Sequence, residues 1–353
     1  RMKGDTLLVG SIPLKTTGEA LETFGGELGP HLATLPDGEV GWRQFWITRV
    51  HFQVFALHPD LEVIQRPRSD EGVERIYPHD ATDNWNFRVR PGVERVTFGH
   101  AGWRLGFYQE AVNSYYIFRD LRKQGKLPPG LRFQVSIPTA VSALPPRVFP
   151  TPGDLEKVRP GYIDAVRAEI AAMLEEIPAE DLAIQWDCST ELQDAFGAVA
   201  GLPPEGMIER NLGQITALSK DIPSDVLIGV HLCYGTLGGW PRFEPDSTDK
   251  AVELSNAIIE GAGRRVDWVH IPTLNRSDDA YYAPLANLRA GETRIFLGMI
   301  HNMSTFAERL AAARRHLPDF GVAAYCGFGR RPRSELPEIL KDHVLAVELL
   351  KAR

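Results

Sequence analysis

The sequence predicts an α/β protein that forms a single (β/α)8 barrel over residues 1–353, with a large insertion after the second strand. Eight short apolar runs rich in β-branched residues have the composition of buried parallel strands. They lie at 6–11, 31–36, 131–137, 181–187, 226–233, 266–271, 294–300 and 321–326. Helical patterns alternate with these runs, and eight strands close such a barrel. No Gly-x-Gly-x-x-Gly motif follows an early run, which argues against an open dinucleotide-binding sheet.

The helices are predicted from apolar side chains that recur every three or four residues. The clearest pattern covers 154–176, with Asp154 as its expected N-cap. The remaining helices are predicted at 105–125, 248–261, 304–316 and 336–350.

The insertion is predicted from the length of one interval. About 90 residues separate Glu39 from Gly130, where a barrel unit needs only about 25–35. The surplus, 41–100, leaves the C-terminal face of the barrel, where active sites of this fold are built. It is rich in aromatic residues. It could be an extra helix and a loop packed on the barrel, and it could also form a lid or pocket wall for an aromatic or amphipathic substrate, since the two interpretations are compatible. In the second interpretation Trp42 and Trp46 contact the substrate.

Composition bounds the class of protein. The chain is 43% hydrophobic and 24% charged, which is typical of a globular protein. The net charge of −7 and the absence of a long basic run disfavour nucleic acid as a partner. We find neither an 18-residue apolar stretch nor a signal-peptide pattern, so we expect a cytoplasmic protein without a membrane partner. A small-molecule substrate is expected, and the oligomeric state stays open, a homo-oligomer included.

A metal site is predicted from two of the three cysteines. His231 and Cys233 alternate at the end of the fifth predicted strand, so their side chains share one face. Cys326 ends the eighth strand, and the strand ends of a barrel meet at one mouth. Imidazole and thiolate are ligands that zinc prefers, with His270 as a fourth candidate. The alternative is that both cysteines are small buried apolar side chains.

Three further residues are candidates for chemistry at the same mouth. His301 follows the seventh strand and could act as a general acid or base, or could be a helix cap. Tyr115 could present its phenol to a pocket or could pack internally. Arg330 follows the eighth strand, where barrels often bind anions, but it also belongs to a basic run that solvent could surround.

Several short motifs together resemble a known family. They are Val9-Gly10-Ser11, Asp37-Gly38-Glu39, Ile184-Gln185-Trp186-Asp187, His231-Leu232-Cys233-Tyr234, Leu297-Gly298-Met299-Ile300 and Cys326-Gly327. In this order they resemble the C-terminal catalytic domain of cobalamin-independent methionine synthase, a zinc-containing barrel grouped with uroporphyrinogen decarboxylase. The resemblance implies that His231, Cys233 and Cys326 bind zinc. It also implies that Ser11, Glu39 and Asp187 hold the polar end of the substrate, although each of the three could instead have a local structural role.

The chain departs from that family at specific positions. The family's fourth zinc ligand is a glutamate at the end of strand six, where this sequence has Pro272, which cannot bind a metal. His270, two residues earlier on the same face, could replace it. Otherwise the site has three ligands and an open position, or the metal has been lost. The family's Asp-Glu-Pro after strand four is here Asp187-Cys188-Ser189, and the aromatic insertion has no counterpart that we can place.

Two functions follow from these observations. The first is transfer of a methyl or other one-carbon group to or from a small substrate, with zinc holding a sulfur as thiolate. The second is a lyase (retro-aldol, formaldehyde-releasing or decarboxylating) that acts on an aromatic or bulky acid. Glu39, Asp187 and His301 are the predicted acid–base residues. Zinc is the expected cofactor, while folate has no support from the sequence.

Overall fold

The computed structural model describes residues 2–99 and 104–352, and it confirms the predicted barrel. Eight strands, every adjacent pair parallel, form one sheet in the order β1-β10-β9-β8-β7-β6-β5-β2. They are β1 (Thr6–Leu7), β2 (Thr34–Pro36), β5 (Arg132–Pro138), β6 (Leu182–Cys188), β7 (Leu227–Leu232), β8 (Trp268–Pro272), β9 (Arg294–Gly298) and β10 (Gly321–Ala323). Each overlaps one predicted run, because apolar β-branched residues suit strands that are buried on both faces.

The sheet curls until its two end strands, β1 and β2, lie side by side. Two backbone hydrogen bonds join the segments that flank these strands. The Asp5 N–H donates to the His31 carbonyl over 2.9 Å, and the Ile12 N–H donates to the Gly38 carbonyl over 2.7 Å. These bonds complete a nearly closed barrel.

Helices surround the barrel. They are α1 (Thr17–Leu28), α2 (Trp46–Gln53), α3 (Phe107–Lys123), α4 (Ala140–Ala143), α5 (Asp154–Glu176), α6 (Ser189–Ala195), α7 (Met207–Ser219), α8 (Asp249–Gly261), α9 (Asp279–Tyr282), α10 (Phe306–Arg314) and α11 (Leu336–Lys351). Helix α5 has the predicted bounds, but the expectation of an Asp154 N-cap is wrong. Gly153 occupies that position with φ of 87°, and the Asp154 carboxylate instead accepts the Val89 N–H over 2.9 Å. No helix within 2–99 and 104–352 is long and apolar enough to cross a membrane.

The insertion begins with a short 3₁₀ helix, Gly41–Phe45, which runs into α2. An antiparallel hairpin follows, formed by β3 (Leu61–Gln65) and β4 (Asn86–Val89), where the sequence indicated only a loop. The ring of Phe55 packs 5.8 Å from Phe87 and 5.9 Å from Phe149, so the insertion is anchored to the barrel by buried aromatic contacts. The last insertion residue, His100, lies outside the described residues.

The barrel interior is filled in layers, which determines where a site can form. At the N-terminal end of the strands, Trp268 and Phe296 fill the lumen. Gly229 makes room for the indole, because a Cβ there would lie 1.7 Å from Trp268 Cε2. The next layer is polar: Gln134 and Gln185 each donate to the Val9 carbonyl, over 3.1 and 2.8 Å. These two layers seal the lumen, so functional side chains lie above them, at the C-terminal ends of the strands.

Candidate metal centre and active-site cavity

The three predicted zinc ligands converge in the structure. His231 and Cys233 point the same way because they alternate at the end of β7, and Cys326 lies three residues beyond β10. One donor atom from each residue lies within 4.8 Å of the other two. His231 and Cys233 are buried, whereas Cys326 is half-buried. The third cysteine, Cys188, is buried on β6 and is not in this group.

The spacing of the donors fits a zinc ion. Tetrahedral zinc with bonds of about 2.0–2.3 Å holds its ligand atoms about 3.5–4 Å apart. The three donor atoms lie within 4.8 Å of one another, which is close enough for one such ion to bridge them. Two sulfurs and one imidazole nitrogen are also the donor chemistry that favours zinc over hard cations. Three protein ligands leave one coordination position for a substrate or water.

The protonation of the cluster supports the same conclusion. A hydrogen bond from Cys233 lowers the pKa of the Cys326 thiol well below its usual range, and His231 acts in the same direction. The pKa of Cys233 is raised by this bond and by burial, so the pair shares one proton. Burial opposes charge on His231, but the adjacent Cys326 sulfur raises its pKa above the ordinary value. Cys326 is therefore the thiolate of the group, and thiolate is the form that binds metals.

A second imidazole orients the first. His270 Nε2 lies 2.8 Å from the Ala324 carbonyl, which can only accept, so Nε2 of His270 carries the proton. Burial lowers the pKa of His270 to about 3, so its other nitrogen, Nδ1, is an acceptor. His231 Nδ1 lies 2.8 Å from that acceptor and must donate to it. With Nδ1 directed at His270, Nε2 is the ring nitrogen of His231 that faces the sulfurs, and a bound metal would replace its proton there; second ligand shells fix a tautomer in this way.

This network gives His270 a place that differs from the predicted one. Asp187, His231 and His270 occupy one rung of the sheet, each paired with the next. The two ring nitrogens of His270 are taken up by His231 and by the Ala324 carbonyl, so neither is directed at the cysteine sulfurs as a fourth ligand. Pro272 pairs with Gly298 and offers no ligand atom.

Two carboxylates lie beside the cluster. Burial raises the pKa of Asp187 to about 6, and Gln185 Nε2 donates to it over 3.0 Å. The pKa of Glu39 is raised well above its usual range by burial first and by Asp187 second. Glu39 lies against the backbone of Gly10, where a Cβ would approach its Oε1 to 2.5 Å. The nearby Arg43 bonds to Asp37 over 2.7 Å and not to Glu39, which leaves the Glu39 carboxyl to the cavity.

Ser11 connects β1 to the loop that follows Cys326. Its hydroxyl accepts the Gly329 N–H over 3.1 Å, and its carbonyl accepts the Phe328 N–H over 2.9 Å. A Cβ on Gly327 would lie 2.3 Å from Ser11 Oγ, so only glycine allows this close approach. Ser11 therefore fixes the backbone next to Cys326 while it also lines the cavity.

A cavity of about 910 Å³, including its open mouth, joins these groups. The insertion supplies part of the wall through Phe45, Trp46, His51 and Asn84. Trp46 Nε1 is buried beside Asp187 without forming a hydrogen bond of good geometry.

Three arginines complete the lining, and only one was identified from the sequence. Arg330 donates to the Thr236 hydroxyl and lies 5.8 Å from the ring centroid of Phe45. Arg147 and Arg242 were missed. Both lie in segments beyond strand ends on the C-terminal side of the sheet, and that position was the available signal.

Besides His270, three predicted site residues do not line this cavity. His301 donates to the Thr273 carbonyl over 2.8 Å, and burial lowers its pKa to about 4. The Tyr115 hydroxyl bonds to Asp181, which precedes β6 and thus lies towards the opposite end of the barrel. Trp42 is 61% exposed on the insertion.

No protein-family model and no curated protein matches the chain. Solved structures do match. A B12-independent methionine synthase from Shewanella sp. W3-18-1, in complex with selenomethionine, has a TM-score of 0.56 and 12% identity, covering 85% of this chain and 79% of its own. A candidate vitamin-B12-independent methionine synthase from Listeria monocytogenes has a TM-score of 0.55 and 14% identity, covering 96% and 87%. At identities this low, the likeness shows a shared fold. In that respect it confirms the resemblance to methionine synthase that the sequence motifs indicated.

Proposed function

We propose that this protein is a zinc enzyme that transfers a methyl or other one-carbon group to the sulfur of a small thiol. The observation that carries the proposal is the convergence of His231, Cys233 and Cys326 at the floor of a cavity that also contains two carboxylates. The likeness to methionine synthases supports it, since those neighbours share the barrel that presents the group.

His231, Cys233 and Cys326 would hold the metal. Zinc bound there would keep the substrate thiol deprotonated at neutral pH, which makes its sulfur a nucleophile. The chain's own contribution is orientation: His270 fixes the His231 ring, and the Ser11 contacts fix the backbone beside Cys326. The sealed layers beneath keep water from the site except through the cavity mouth.

The two carboxyls are suited to proton transfer to the leaving group. In the transfer, a sulfur–carbon bond forms as the bond between that carbon and its leaving group breaks, and the leaving group departs with the electron pair. Because the pKa values of Glu39 and Asp187 are raised, one of the two can be protonated near neutral pH. That carboxyl can give its proton to the departing group, while the other remains an acceptor for a substrate ammonium or hydroxyl.

A lyase acting on an aromatic acid is the second candidate function. The observation that favours it is the aromatic wall of Phe45 and Trp46, which faces the same carboxylates. The two candidates differ in one requirement, because a lyase would turn over an aromatic acid in the absence of any thiol.

Cobalt substitution tests the thiol proposal without requiring the natural methyl donor. We expect Co(II)-loaded protein to show thiolate-to-cobalt charge-transfer absorption that increases when 3-mercaptopropionate is added, with release of about one proton per site. Cys326→Ser should lower the absorption of the resting protein and abolish the increase. Cys188→Ser is the matched control, since Cys188 is buried but outside the group, and it should behave as wild type. A charge-transfer absorption of Co(II)-loaded wild-type protein that does not change when thiols are added would contradict the proposal.

A further inference from the structure

Two arginines on the cavity wall have no counter-charge of their own. Arg147 follows α4, and Arg242 lies in the segment between β7 and α8. Among the residues described, neither guanidinium forms an ion pair within 4.0 Å or donates a hydrogen bond. Arg147 Nε is buried and unpartnered. Most other arginines in the described part of the chain pair with carboxylates or carbonyls, as Arg43 and Arg210 do.

The surroundings of Arg147 and Arg242 do not neutralise their positive charge. Burial and the neighbouring Arg242 lower the pKa of Arg147 to about 10, so both guanidinium groups stay charged and repel each other. The carboxylate that faces Arg242 is Asp80, which already pairs with Arg68 at 3.6 Å, and the other acidic group near Arg242, Cys233, belongs to the metal cluster. His51, beside Arg147, adds no charge, because burial lowers its pKa to about 4.

We propose that Arg147 and Arg242 form a subsite for an oxyanion carried by the substrate. Two like charges held together at a cavity wall cost free energy unless an anion joins them, and guanidinium groups bind carboxylate or sulfonate through paired N–H donors. Both arginines line the same cavity as Cys233 and Cys326. A short ligand can therefore reach the arginines with its acid group while its sulfur lies at the cysteines.

The inference names a substrate class for the proposed function and rests on that function for its sulfur half. The ligand is a small thiol that bears a carboxylate or sulfonate a few bonds from the sulfur. The anion half stands on the arginines alone, so the two halves can be tested separately.

Calorimetric titration of zinc-loaded protein tests the subsite with four probes. They are 3-mercaptopropionate, 3-mercaptopropane-1-sulfonate, neutral 3-mercapto-1-propanol and thiol-free propane-1-sulfonate. We expect the anionic thiols to bind about tenfold or more tightly than the neutral thiol, since each charge-assisted pair contributes that much. The preferred anion identifies the acid group. Equal dissociation constants for anionic and neutral thiols would overturn the subsite.

Variants assign the preference to these residues. Arg242→Gln removes an exposed side chain and should leave the fold intact while it removes the preference for anionic thiols. Arg147→Gln should act in the same direction. Lys341→Gln, on the exposed face of α11, loses the same charge far from the cavity and should keep the preference. A preference that persists in both arginine variants would refute the assignment.

The thiol-free probe separates this proposal from the proposed function. If the subsite exists but thiols are not ligands, propane-1-sulfonate binds as tightly as its mercapto analogue, and Arg242→Gln weakens both. If thiols bind but the subsite is absent, 3-mercapto-1-propanol matches the anionic thiols and propane-1-sulfonate does not bind.

Discussion

Replacement of His270 by leucine should weaken zinc binding although His270 is not itself a ligand. In the wild-type protein its ring joins the Ala324 carbonyl to His231 Nδ1 through two contacts of 2.8 Å. Leucine fills much of the same buried space but accepts no hydrogen bond. The Nδ1–H of His231 is then buried without a partner, and the ring loses the contact that fixes its tautomer.

The magnitude follows from two independent routes. A buried donor left without its acceptor costs about 1–3 kcal/mol. Loss of a second-shell partner of a metal-bound histidine typically lowers metal affinity by about 10–100-fold, which is about 1.4–2.8 kcal/mol. The ranges agree, so we expect a zinc dissociation constant about 10–100-fold higher than in wild type.

Competition with a chromophoric chelator measures this change. His343→Leu is the matched control, because His343 is also fully buried and bonds a carbonyl through one ring nitrogen, but it lies on α11 away from the cluster. The control should lose stability without losing zinc affinity. His270→Gln, which can both accept and donate, should recover part of the affinity. Equal zinc affinity in wild type and His270→Leu would refute the orientation of His231 by its neighbour.

Three further predictions concern residues outside the metal centre. Tyr115→Phe should lower the free energy of unfolding by about 1 kcal/mol and leave ligand binding unchanged, because its hydroxyl bonds at the opposite end of the barrel; altered thiol affinity would contradict this placement. His343 has a pKa lowered by burial from 6.5 to about 4. The unfolded chain therefore binds the proton first, and the stability present above pH 6.5 is lost as the pH falls towards 4, by about 2 kcal/mol at pH 5. Denaturant titrations at pH 8 and pH 5 should show a smaller loss in His343→Leu, and equal losses would exclude this residue. Gly229→Ala places a Cβ against Trp268 and should lower the free energy of unfolding, measured by denaturant titration, by about 1–3 kcal/mol. Gly213→Ala, where a Cβ in α7 meets open space, is the control and should leave that free energy unchanged or raise it.

The sequence predicted the strands and the metal cluster for the same physical reason. Side chains alternate along a strand, and parallel strands of a barrel end at one mouth, so His231, Cys233 and Cys326 could be placed together without coordinates. The bounds of α5 followed from its apolar spacing. The N-cap of α5 could not be predicted in this way, because the Asp154 carboxylate bonds to Val89 in the β3–β4 hairpin and not to its own helix.

Other features depend on contacts that no local pattern encodes. His270 lies in the predicted strand, but whether it binds metal or another histidine depends on the register between β7 and β8. Arg147 and Arg242 are ordinary loop residues in the sequence, and only the folded chain shows that neither has a carboxylate partner within residues 2–99 and 104–352. The β3–β4 hairpin was missed because its first strand, with one buried and two half-buried residues, lacks a clear alternation.

Metal analysis of purified wild-type protein, prepared without chelators, tests the central claim most directly. We predict about one zinc per chain, retained on dialysis and lost in Cys233→Ser but not in Cys188→Ser, because only the first serine replaces a sulfur of the cluster. Protein that folds normally but carries no zinc, and takes up none when zinc is supplied, would contradict the account.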